Sequence, residues 1–178
     1  MGVSSIFPTD SGAVPASAVL LVSARSENHE SLRSIFRGSR WGLQEAWTAC
    51  EGGKTLSRNH SQIPVVICED VLPDGDWKQV LTGLDKVAVG PSLIVSSRLA
   101  DERLWAEVLN LGAFDLLLGA PFEPEEVLRV TESAWRARNS AVPRWAVRRR
   151  GPDRAQNVGP RAPKALAAGG HSWFCNGD

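Results

Sequence analysis

Along residues 18–138 the apolar residues fall into short runs, separated by stretches where they recur every three or four positions. Five runs read as strands: 18–22, 41–46, 64–69, 93–95 and 114–118. Runs of about four to eight apolar residues bounded by turn signals suit strands buried on both faces, as in a parallel sheet. Between them lie five candidate helices. Leu32, Ile35 and Phe36 share one helical face, with Ser26 as a candidate cap and Gly38 as a stop. Thr48 and Glu51 have capping-box spacing for a second helix. Gly52 and Gly53 weaken that helix, at about 1 kcal/mol each relative to Ala. Trp77, Val80, Leu81 and Leu84 give a third. Residues 101–111 give a fourth, with Leu104, Val108 and Leu111 on one face and Gly112 as a left-handed cap. Pro124 opens the fifth, whose inner side carries Val127, Leu128, Val130, Thr131 and Trp135.

Five strands alternating with five helices demand right-handed crossovers and helices on both sides of the sheet. The expected fold is α/β: a five-stranded parallel sheet in a doubly wound, flavodoxin-like (βα)5 arrangement over residues 18–138. Residues 1–17 read as a flexible leader. Residues 139–178 lose all periodicity and read as a basic, disordered tail.

Charged residues (22%) and hydrophobic ones (43%) are ordinary for a globular chain, so composition alone excludes little. Charge is uneven, however. From Asn139 onward seven Arg and Lys face two acids, leaving 13 basic and 18 acidic groups in residues 1–138. Arg148, Arg149 and Arg150, with Arg144 and Arg154, could meet nucleic acid through its phosphates, although such runs are more often simply solvated. No helix-turn-helix fits in the tail. Cys50, Cys68 and Cys175 are odd in number and far apart, which argues against a disulfide framework or zinc site and for a reducing compartment. Cys68 reads as a small core hydrophobe. No apolar run approaches the roughly 18 residues needed to span a bilayer, and no secretory signal is visible. Ile6 stands where a myristoylation motif needs Ser or Thr. A cytoplasmic protein without membrane contact is expected.

The stretch 63–77 carries the candidate chemistry: a β-branched run ending in Glu69, then a turn on Leu72-Pro73-Asp74-Gly75. Parallel sheets bind ligands just beyond the carboxyl ends of their strands, which is where Glu69 falls. Asp74, Gly75 and Asp76 read as turn and cap residues. No glycine-rich phosphate loop or nucleophile–base pair points to an enzyme.

The element order resembles the receiver domain of bacterial response regulators, as do Leu72-Pro73-Asp74-Gly75-Asp76, Leu111-Gly112-Ala113 and Pro121-Phe122-Glu123-Pro124-Glu125-Glu126. Receivers take a phosphoryl group from a histidine kinase onto an aspartate, using Mg²⁺. The resemblance implies that the phosphoacceptor position is Glu69 and that the metal-binding acidic pair is replaced by Ser23 and Ala24. The phosphate-contacting hydroxyl is Ser96, and the lysine position holds Ala120. The aromatic switch falls at Leu116 or Leu117. Of these five features only Ser96 survives, although the bond before Pro121 is expected to keep the family's cis form. Mg²⁺ wants hard oxygen ligands in octahedral geometry, so its site is expected to be lost. With neither metal pair nor lysine, a phosphate beside Glu69 would go uncompensated. Asp70 is expected to point to the opposite face.

Glu69 reaches one methylene farther than aspartate and could imitate a phosphoaspartate. One carboxylate poorly reproduces a phosphate's charge and three oxygens, which favours a relic instead. The expected protein is a stand-alone, degenerate receiver in phosphorelay signalling that contacts a histidine kinase or other regulator and catalyses nothing. The alternatives are a phosphorylatable receiver with an unorthodox acceptor and a nucleic-acid-associated adaptor acting through the tail. Of seven tryptophans, Trp77, Trp105 and Trp135 are expected to be partly core. Trp105 also lies, with Arg98, Arg103 and Leu109, on the side that receivers use to meet partners.

Overall fold

The computed structural model describes residues 17–85 and 90–140, so the expected leader and all but the first residues of the tail lie outside the described residues. The chain runs β1 (Ala18–Val22), α1 (Ser26–Phe36), β2 (Gly42–Ala46), α2 (Ala49–Asn59), β3 (Val65–Glu69). It continues β4 (Val71–Leu72), β5 (Gly75–Asp76), α3 (Trp77–Leu84), β6 (Ser92–Ser97), α4 (Glu102–Leu111), β7 (Asp115–Leu118) and α5 (Pro124–Ser140). Five strands form one sheet in the order β2-β1-β3-β6-β7. All its neighbours are parallel. The short β4–β5 hairpin, expected only as a turn, pairs antiparallel beside it.

Strand alternation sorts the sheet's side chains into two cores. Val19, Leu21, Val65, Ile67, Ile94 and Leu117 meet Leu32 and Phe36 of α1 and Val127, Val130 and Ala134 of α5. Leu20, Val22, Val66, Cys68, Leu93 and Val95 meet Leu56 of α2, Trp77, Val80 and Leu84 of α3, and Val108 of α4. Both faces are therefore covered, which explains why the central strands read as unbroken apolar runs.

The helix most compromised by glycine is held by its surroundings. Thr48 Oγ1 accepts from the Glu51 amide (3.1 Å), while the Glu51 carboxylate accepts from the Trp47 amide (2.8 Å), one residue earlier than a capping box predicts. Asp74, on the β4–β5 turn, accepts from the amides of Ala49 and Cys50, both at 2.8 Å. Those are donors that the first turn of a helix leaves unpaired. A Cβ on Gly52 would stand 2.9 Å from Val22 Cγ2, so the glycine lets α2 lie directly on β1. Asp76 and Asp101 cap α3 and α4, and Gly112 takes the left-handed conformation (φ 100°) that ends α4.

Several expectations need correction. Ser26 does not cap α1, because Arg25 occupies that position and makes no side-chain cap bond. Leu111 and Trp105 are about half exposed rather than core, since α4 buries only Val108. Cys68 is a free thiol buried in the sheet, where desolvation, reinforced by nearby acids, pushes its ionisation well above the usual range.

Candidate functional site

Three neighbouring strands end together at the carboxyl rim of the sheet. Glu69 and Ser96 are in register across β3 and β6, and Ser23 directly follows β1. The strand period turns Glu69 and Ser96 toward the same face as Ile67 and Ile94, the side covered by α1 and α5. Ala120, after β7, packs against that same core and forms a cis peptide with Pro121, as the resemblance implied. Ser23, Glu69 and Ser96 thus meet at one place, and Ala120 lies on the same face of the sheet. Asp70 and Ser97 turn the other way, and Ser97 Oγ donates to the Asp70 carboxylate at 2.7 Å.

Glu69 is buried, at 4% exposure, so its charge demands compensation. Its Oε2 accepts from Ser23 Oγ (2.7 Å) and from the Ala24 amide (3.1 Å). Its Oε1 accepts from Arg25 Nε in a salt bridge. Ser23 Oγ also accepts from Asn28 Nδ2 (2.9 Å) and the Arg25 amide (3.1 Å), which saturates the hydroxyl. The Ser96 hydroxyl, 1% exposed, has no hydrogen-bond partner among the described residues, and neither has Asn28 Oδ1.

Arg25 is the residue that sequence reasoning missed. A rim without positive charge was expected, whereas a guanidinium sits directly on the acid. The signal was available: once a carboxylate is placed in a buried site stripped of metal ligands and lysine, some cation must face it. Arg25 stands two residues beyond Ser23. A second arginine, Arg98 after β6, pairs with Glu27 in the first turn of α1.

A Mg²⁺ ion fits these residues poorly. It needs several oxygen ligands in near-octahedral array. Here the lone carboxylate already accepts three donors, the Ser23 hydroxyl is saturated, and Ala24 contributes only an N–H, which repels a cation. Among the described residues no group of three or more His, Cys, Asp or Glu side chains is placed to hold a metal ion.

Behind the rim, His29 is 1% exposed, with Nε2 2.8 Å from the Ser23 carbonyl and Nδ1 2.9 Å from Glu45 Oε1. Trp47 stacks on its ring at 3.9 Å. Arg33 donates to both Glu45 oxygens at 2.8 and 2.9 Å. These bonds fasten α1 to β2 and set the loop that carries Ser23, Ala24 and Arg25.

No known family profile and no curated protein matches the sequence. Solved structures do match. The signal receiver domain of an HD domain-containing protein from Pseudomonas fluorescens Pf-5 is 21% identical, with a TM-score of 0.62, over 70% of this chain and 98% of that one. The chain has the receiver fold. A Francisella response regulator receiver domain agrees (19% identity, TM-score 0.60, 67% and 97% of the two chains). So does a chain of the CheX–CheY complex with beryllofluoride and Mg²⁺ from Borrelia burgdorferi (21%, 0.59, 66% and 87%). At these identities the likeness establishes the receiver fold and leaves activity to be argued from the site.

Proposed function

We propose that this receiver fold works in two-component signal transduction as a degenerate module, acting by protein–protein contact without carrying a phosphoryl group. The observation that carries the reading is the way Glu69 is held: both oxygens of its carboxylate are already engaged, by Ser23 Oγ, the Ala24 amide and Arg25. An acceptor needs free lone pairs, a metal and a cation on the incoming phosphoryl oxygens. Here the cation is spent on the acid itself. Glu69 turns toward the β1–α1 loop and not toward the Ser96 hydroxyl, which favours the relic over a phosphoaspartate mimic.

Contact with a partner, a histidine kinase or another regulator, is supported by apolar side chains left in water. Leu99 after β6 (84% exposed), Leu118 at the end of β7 (59%) and Trp105 on α4 (51%) are all far more open than core residues of their size. A shallow recess of about 420 Å³, lined by Arg103, Ala106, Glu107, Asn110 and Leu111, runs along the outer side of α4. No helix among the described residues is long and apolar enough to cross a membrane, and the proposed setting is the cytoplasm. The arginine-rich segment considered for nucleic acid lies outside the described residues.

Incubating the chain with acetyl phosphate and Mg²⁺, followed by intact-mass measurement, tests the reading. No mass gain of one phosphoryl group is expected. Stoichiometric gain, mapped to Glu69 or Asp70, would instead establish the alternative of a receiver with an unorthodox acceptor.

A further inference from the structure

We infer that Arg25 is a built-in cation that occupies the acidic site, and that its guanidinium, beyond the loss of acidic ligands, is what bars a divalent ion from the rim. The inference rests on the receiver reading of Ser23, Ala24 and Glu69. It adds an occupant to what that reading describes as a loss.

Glu69 is almost wholly removed from water, and a buried carboxylate is tolerable only when paired and fully hydrogen-bonded. The chain supplies both conditions from one short loop. Ser23 and the Ala24 amide satisfy one oxygen, and Arg25 satisfies the other. The Arg25 side chain is half exposed while Glu69 is buried, so the guanidinium meets the acid from the solvent side. Its own amide is anchored on Ser23 Oγ, which fixes the start of the arginine to the same hydroxyl that holds the acid. The Arg98–Glu27 pair ties the loop after β6 to the first turn of α1. Together the two arginines link the segments that follow β1, β3 and β6.

A positive charge a few ångströms from a would-be metal repels the ion, and the repulsion is stronger beside a buried group than in bulk water. Adding carboxylates alone should therefore not open the site. Removing Arg25 as well should.

The test is Mn²⁺ binding to the full chain, followed by electron paramagnetic resonance of the free ion. Four proteins are compared: wild type, Arg25→Ala, the pair Ser23→Asp/Ala24→Asp, and that pair combined with Arg25→Ala. Far-UV circular dichroism confirms that each is folded, and Arg25→Gln replaces Arg25→Ala if alanine does not fold. The inference expects no specific binding by wild type. It also expects affinity at least about tenfold tighter in the triple variant than in the pair. Equal affinity with and without Arg25, or no binding by a folded triple variant, would overturn it. So would a specific Mn²⁺ site in wild type. Phosphorylation of the wild-type chain by acetyl phosphate would sink the receiver-relic reading itself, so the two failures are told apart.

Discussion

At Glu69 a buried carboxylate meets Ser23, the Ala24 amide and Arg25, and that pairing sets the electrostatics of the rim. The carboxylate's position was legible, because it ends an apolar run four residues before Pro73. Its partners were only half legible: Ser23 was identified, but as a lost ligand and not as a donor, and Arg25 was passed over. Glu45 gives the clearest pH signature at this scale. Partial burial alone would raise its carboxyl, but hydrogen bonds from Arg33 and His29 outweigh that and hold it below its ordinary value of 4.5. A group depressed in the folded state stabilises fully above its unfolded value, and that contribution is lost as pH falls through the folded one. Urea midpoints should therefore fall as the pH drops below about 4.5, and Glu45→Gln should flatten part of that fall. Identical acid slopes for the two proteins would show that the α1–β2 link does not contribute.

Among the elements, α2 shows how tertiary contact overrides propensity. Two adjacent glycines argue against a helix there, yet 11 residues form one. Gly52 gives up local stability so that α2 can rest on Val22, and Asp74 supplies caps from 25 residues away. Gly52→Ala should consequently destabilise, although alanine is the better helix former. The added Cβ would stand 2.9 Å from Val22 Cγ2, and overpacking typically costs about 1–3 kcal/mol. Urea unfolding checks the sign: a more stable variant would mean that Val22 yields freely. The opposite misreading occurred at α4, where Leu104, Val108 and Leu111 have the spacing of a buried stripe. Beside the edge strand β7 the helix is covered on a narrow strip only, and Leu111 stays half exposed.

For the molecule as a whole, the exposed apolar residues separate stability from function. Trp105→Ala and Leu118→Ser remove side chains that are mostly in water, so each should alter folding stability by no more than about 0.5 kcal/mol. If this face meets the partner, capture in a pull-down should fall several-fold in the same variants while thermal midpoints stay put. Lost stability with unchanged capture would assign the residues to packing instead. The sequence by itself determined the alternation of strands and helices, the two-sided burial of the sheet and the absence of the receiver's acidic pair and lysine. All of these are written in periodicity and residue type, which decide locally what can leave water and what can bind an ion. Only the tertiary structure decided that Arg25 neutralises Glu69, that Gly52 is a contact surface, and that Trp105 faces solvent. Those outcomes depend on which strand ends the crossovers bring together, tens of residues apart, and on how much of each helix the sheet has room to cover.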